Sequence, residues 1–166
     1  TPIEAKTERQ LPGNGVVRAG NKDAVSKDGS SHILARKQLL PSYDVFDEAR
    51  YFQPDNRSGI ARTIAQLDLG VTVCEDAWQA AGLTPSIYSA DPIEHLAEWG
   101  RQGVQLDATV NLSASPYHAD KLSSRIHVCR TAARILNHPF LLANQVGGND
   151  DLLFDGNSLV AWPDGR

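Results

Sequence analysis

The stretch Leu69-Gly70-Val71-Thr72-Val73-Cys74-Glu75-Asp76-Ala77-Trp78 decides how the rest of the chain is read. Val71, Thr72 and Val73 are β-branched, and such side chains pack well on a pleated, buried strand. Gly70 lets the chain enter that strand tightly. The strand ends in a thiol followed by two carboxylates. Ligands bind at the C-terminal edge of parallel-type sheets, so Cys74 is a candidate nucleophile. It also fits a buried structural cysteine, because a thiol is inert unless its surroundings form the thiolate.

Working toward the C-terminus, residues 79–90 read as a loop carrying Gly82, Pro85 and Ser86. Asp91 suits an N-cap and Pro92 the first helical position, which predicts a helix over 92–102 stopped by Gly103. Residues 106–112 read as a buried strand, with Ser113-Ala114-Ser115-Pro116-Tyr117-His118 at its end. Residues 120–136 form a long amphipathic helix with Leu122, Ile126, Cys129, Ala133 and Leu136 on one face, which makes Cys129 a core residue. A strand over 140–143 ends at Asn144-Gln145-Val146-Gly147-Gly148. Asn149-Asp150-Asp151 opens a polar loop, and 157–162 is a final strand.

Working toward the N-terminus, residues 61–68, with Ile64 and Leu67, read as a strand. Asp68-Leu69-Gly70 is then a tight link, and the two strands make an antiparallel pair. Residues 37–54 form a loop in which Pro41 opposes helix. Its aromatics Tyr43, Phe46, Tyr51 and Phe52 are expected to anchor it to the body. Residues 32–37 read as a strand, 27–31 as a hairpin turn, and Val16-Val17 as a short strand. The remainder of 1–32 is punctuated by turns such as Pro12-Gly13-Asn14-Gly15. From residue 61 the order is strand, strand, helix, strand, helix, strand, strand. That order predicts an α/β domain with a mixed sheet and helices on one face.

The 166 residues suffice for one domain with a sizeable core, and 41% hydrophobic with 22% charged content is globular composition. A net charge of -4 with no Lys/Arg run argues against a nucleic-acid surface. No apolar run is long enough to span a bilayer and no signal peptide opens the chain, so no membrane partner is expected, and two cysteines without a disulfide framework fit a reducing, cytoplasmic setting. Cys74 and Cys129 make no disulfide framework, and without a CxxC or His/Cys cluster no structural zinc is expected. The chain starts at Thr1 and contains no Met. This reads as a processed chain, a fragment or a partial sequence.

Three groups are candidates to meet at the strand ends: Cys74, Lys37 and a carboxylate. Lys37 would lower the thiol pKa and stabilise an oxyanion, a contribution of ~3–4 kcal/mol for one well-placed donor. From spacing alone it reads as a solvated lysine at a strand end. A glutamate would take the thiol proton. His32, His95, His118, His127 and His138 sit in no motif. Four read as surface or capping residues, and His118 lies nearest the predicted site.

Five motifs in order are more specific than any of these. They are Lys37-x-x-Leu40-Pro41-x-Tyr43-x-Val45-Phe46-Asp47-Glu48-x-Arg50-Tyr51-Phe52, Cys74-Glu75-Asp76-x-Trp78, Asn111-x-Ser113-Ala114-Ser115-Pro116-Tyr117, Asn144-Gln145-Val146-Gly147-Gly148, and Phe154-Asp155-Gly156-x-Ser158. From about Ser31 to Arg166 the chain resembles the glutaminase domain of the glutamine-dependent NAD(+) synthetases, within the nitrilase (carbon–nitrogen hydrolase) superfamily. The resemblance implies a four-layer α-β-β-α sandwich, here incomplete at the N-terminus, with residues 1–166 as a partial domain. It implies Cys74 as nucleophile, Lys37 as catalytic lysine and Glu48 as the glutamate that orients it. Tyr43, Ser115 and Lys121 match positions that hold glutamine, although Lys121 by its chemistry alone reads as a solvated first-turn lysine. The backbone N–H of Glu75, directly after the nucleophile, is expected to be an oxyanion donor, and Asp76 and Trp78 read as structural. The implied partners are glutamine, a synthetase domain absent from this chain, and further copies of the protein. No cofactor is implied for this domain; ATP and magnesium belong to the synthetase domain. A general-base glutamate is implied before Lys37, but Glu4 and Glu8 do not match its motif. The alternatives are a stand-alone amidase or nitrilase on another amide or nitrile, and a non-catalytic fragment whose open core needs a further segment or chain to cover it.

Overall fold

The computed structural model describes residues 16–18, 33–56, 59–62, 66–84 and 88–166. A ribbon of β1 (Val16–Arg18) and β2 (Ile33–Arg36) pairs antiparallel. The main sheet contains β3 (Gly59–Arg62), β4 (Asp68–Val73), β5 (Ala108–Ser113) and β6 (Phe140–Asn144). A hairpin of β7 (Val146–Asn149) and β8 (Leu152–Asp155) follows, then β9 (Leu159–Ala161). The sheet order is β3-β4-β5-β6-β9, with the three central strands parallel and both edge strands antiparallel.

Helix α1 (Pro92–Arg101) connects β4 to β5, and α2 (Lys121–Leu136) connects β5 to β6. Strand order advances the same way at both steps, so right-handed crossovers put both helices on one face. Asp91 caps α1 by accepting the N–H groups of Ile93 and Glu94 at 3.0 and 3.2 Å. The core lies between these helices and the sheet. Ile93, Leu96 and Ala97 of α1 and Val128, Cys129, Ala132 and Ala133 of α2 close on Phe140, Leu142 and Ala161. Cys129 is fully buried, and desolvation pushes its thiol up to about 12.

Several expectations need correction. The buried face of α2 comprises Arg125, Val128, Cys129, Ala132, Ala133 and Leu136, while Leu122 is exposed. This stripe still follows helical i, i+3, i+4 spacing, but it is headed by an arginine, which a hydrophobic pattern misses. β4 already begins at Asp68, so Leu69 and Gly70 lie inside the strand rather than in a tight link. Gly70 is needed there for close approach: a Cβ would stand 2.7 Å from Thr109 Oγ1 and 3.2 Å from Leu106 Cδ1. The polar loop expected after Asn149 is the turn of the β7–β8 hairpin. Strand β7 carries Gly147 and Gly148 and is exposed throughout, so it gives almost no strand signal. Of the four loop aromatics, Tyr43 and Phe46 pack edge to face at 6.2 Å, whereas Tyr51 and Phe52 are exposed. His32, Ile64 and the turns expected before Gly15 and over 27–31 lie outside the described residues. Among the described residues no helix is long and apolar enough to cross a membrane.

Candidate active site

Cys74 sits at the point where β4 breaks into a single 3-10 turn, Cys74–Ala77. Val73 is still extended, but Cys74 has φ +47°, which is uncommon for a residue with a side chain. The reversal is held from both sides. Asn111 of β5 donates through Nδ2 to the Thr72 hydroxyl at 3.0 Å and to the Cys74 carbonyl at 3.2 Å. The Ser113 hydroxyl donates to Asn111 Oδ1 at 2.6 Å and fixes that amide's orientation.

One buried carboxylate organises the same turn. Asp76 Oδ1 accepts the backbone N–H groups of Gln38 and Leu39 at 2.9 and 2.8 Å, and its Oδ2 accepts that of Val73 at 3.0 Å. Burial pushes the Asp76 carboxyl up to about 7, against these donors and the charge of Lys37.

Lys37 follows β2 and is buried, 7% exposed. Its ammonium lies 2.6 and 2.5 Å from the two oxygens of Glu48, itself on a one-turn 3-10 segment, Glu48–Arg50. The Pro41 carbonyl accepts the Glu48 N–H at 3.0 Å and folds that segment back over the lysine. Burial pushes the Cys74 thiol up; the charge of Lys37 and a hydrogen bond from the Ala114 backbone N–H oppose this, and the charges of Glu75 and Glu48 reinforce it.

Around this centre the Tyr43 hydroxyl donates to Glu75 Oε1 at 2.5 Å. Burial raises the Glu75 carboxyl, and the Tyr43 hydrogen bond and the charges of Lys37 and Lys121 oppose the rise. Burial and then the Glu75 contact push the Tyr43 hydroxyl up. The Lys121 ammonium stands 4.2 Å over the Trp78 ring, and desolvation lowers its pKa. Ser115 is buried, with its N–H donating to Asn144 Oδ1 at 2.9 Å. Asn144 Nδ2 donates in turn to the Gly156 carbonyl at 2.7 Å. Arg125, with no exposed surface, donates to the Ser115 carbonyl at 2.9 Å and pairs with Asp155 at 2.8 and 2.9 Å.

The structure therefore brings Cys74, Lys37, Glu48, Tyr43 and Glu75 into one electrostatic neighbourhood, with Lys121 acting on Glu75 and Cys74. Lys37 and Lys121 are not the solvated lysines that spacing alone suggested; an ion pair holds the first and a ring face the second. His118 is exposed and donates from Nδ1 to the adjacent Ala119 carbonyl, outside this neighbourhood. His138, read as a surface or capping residue, is half-buried against Thr109 Oγ1 at 2.8 Å. Sequence reasoning assigned no role to Asn111, Asn144, Asp155 or Arg125. The first three stand in the quoted motifs; Arg125 has no local signal, because arginine normally reads as solvated. Among the described residues no cluster of His, Cys, Asp and Glu fits a metal ion.

No protein-family model matches the chain. A glutamine-dependent NAD(+) synthetase from Synechocystis sp. is 38% identical over 162 residues, which is 97% of this chain and 27% of that protein. The structure of a glutamine-dependent NAD+ synthetase from Acinetobacter baumannii superposes with a TM-score of 0.65 at 30% identity, covering 85% of this chain and 26% of that one. A carbon-nitrogen hydrolase from Helicobacter pylori gives a TM-score of 0.62 at 24% identity, covering 84% of this chain and 48% of that one. The chain thus spans about a quarter of the length of the curated relatives it matches.

Proposed function

We propose that this chain is a carbon–nitrogen hydrolase domain of the kind found in the glutamine-dependent NAD(+) synthetases it resembles, and that it hydrolyses the side-chain amide of glutamine through Cys74. The observation that carries the proposal is the buried Lys37, locked by Glu48 at 2.5 and 2.6 Å and acting electrostatically on the Cys74 thiol. A thiol is the strongest nucleophile available here, but only as thiolate. The surroundings raise its pKa, and Lys37 is the positive charge that offsets this. The thiol proton passes to a general base, which the family resemblance assigns to a glutamate before Lys37.

The thiolate of Cys74 attacks the amide carbon, and the carbonyl π bond opens to a tetrahedral oxyanion. Lys37 and the Glu75 backbone N–H stabilise that oxyanion. Collapse breaks the C–N bond, and the nitrogen takes up the proton and leaves as ammonia. Water then hydrolyses the γ-glutamyl thioester to glutamate and restores the thiol. Tyr43, Ser115 and Lys121 hold the amino-acid end of the substrate. Glu48 orients Lys37. In the complete protein, the ammonia supplies an ATP- and magnesium-dependent amidation of deamido-NAD in a separate synthetase domain.

The test is ammonia release from glutamine against simple aliphatic amides, using the native protein and Cys74→Ala. Release from glutamine alone, lost in Cys74→Ala, supports the proposal. Equal release from aliphatic amides favours a stand-alone amidase. Release that survives Cys74→Ala removes the cysteine mechanism.

A further inference from the structure

We infer that Asp76 is a positioning residue that sets the spacing between Lys37 and Cys74. The geometry is specific to that pair. Oδ1 accepts the N–H groups of Gln38 and Leu39, the two residues directly after the lysine. Oδ2 accepts the N–H of Val73, the residue directly before the thiol. One carboxylate thus ties two segments that are far apart in sequence, with no side chain intervening. Asp76 is 1% exposed, so water does not replace it. Lys37 belongs to a segment after β2, which lies outside the main sheet. Ladder hydrogen bonds of the sheet therefore do not fix Lys37 relative to the end of β4. The Asp76 tie supplies that register, and Glu48 sets the direction of the ammonium once the register is set.

This inference deepens the reading of Cys74 as a nucleophile activated by Lys37, and its test is independent of the substrate. The readout is the rate of Cys74 alkylation by iodoacetamide across pH, in the native protein with Cys129→Ala as background. The charged or titratable groups facing the thiol are Lys37, Glu48, Glu75, Lys121, Tyr43 and Tyr88, and all are retained.

Removing a negative charge near a thiolate lowers its midpoint; moving Lys37 away raises it. Positioning therefore predicts that Asp76→Asn moves the alkylation midpoint upward by about one pH unit, with alkylation at neutral pH roughly tenfold slower. Asp76→Glu keeps the charge and both acceptor oxygens but lengthens the tie by one methylene, and it also moves the midpoint upward. With glutamine, kcat falls far more than KM changes. An unchanged or lowered midpoint in folded Asp76→Asn overturns the inference, as does an unchanged midpoint in Asp76→Glu should the Asn variant not fold. Failure of both to fold assigns Asp76 to stability alone and also overturns it. If the native protein releases no ammonia from glutamine while the midpoints move as stated, the proposed reaction fails and the positioning role stands.

Discussion

Replacing Asn144 by alanine tests whether the loops at the strand ends are held by one amide. Asn144 is 8% exposed. Its Oδ1 accepts the Ser115 N–H at 2.9 Å and its Nδ2 donates to the Gly156 carbonyl at 2.7 Å. Alanine removes both bonds and leaves a donor and an acceptor without partners. Ser115 and Gly156 are themselves buried, so each orphan costs about 1–3 kcal/mol. The total is about 3 kcal/mol, which lowers Tm by roughly 6–12 °C for a domain of this size. Urea and thermal unfolding followed by circular dichroism measure this. The exposed Asn149, whose Nδ2 lies 3.5 Å from the neighbouring Asp150 carboxylate, is the control, and Asn149→Ala changes stability by less than about 0.5 kcal/mol. Ser115 is assigned to the substrate, so KM for glutamine also rises in Asn144→Ala. A cost below about 1 kcal/mol with unchanged KM would refute the reasoning, because it would mean that the Ser115 loop is held by Arg125 without the amide.

Glu48→Gln keeps one neutral acceptor but removes the charge that orients the buried Lys37, and kcat falls by roughly 10²–10³ with KM nearly unchanged; steady-state ammonia release checks it. Gly70→Ala forces a Cβ to within 2.7 Å of Thr109 Oγ1, and overpacking costs about 1–3 kcal/mol in a denaturant titration. His138 is half-buried, and desolvation pushes its pKa below 6.5 against the charge of Asp107. The unfolded chain therefore binds the proton more readily, so this contribution is present above pH ~6.5 and is lost as pH falls through the lowered folded value. In His138→Gln the stability-against-pH curve flattens in that window; an unchanged curve removes His138 as its source.

Much of this architecture is legible in the sequence because the signals are local. Asp91-Pro92 marks the start of α1, Gly103 follows its end, and β-branched Val71 to Val73 mark β4. What is not legible is what depends on distant partners. Lys37 reads as solvated until Glu48 folds over it, and Arg125 reads as surface until Ser115 and Asp155 surround it. Strand β7 gives no apolar alternation because all of it is exposed. Asp76 reads as structural, and only its contacts show that it joins the lysine segment to the thiol turn.

The central claim is that Cys74 forms a covalent bond with the glutamine carbonyl. Acid-quenching the native protein during turnover of glutamine and locating added mass on peptides tests it directly. The account predicts one glutamyl group as a thioester on the Cys74 peptide, none on Cys129, and none in Cys74→Ala. Turnover without such an adduct at any quench time, and with alkylated Cys74 still active, would contradict it.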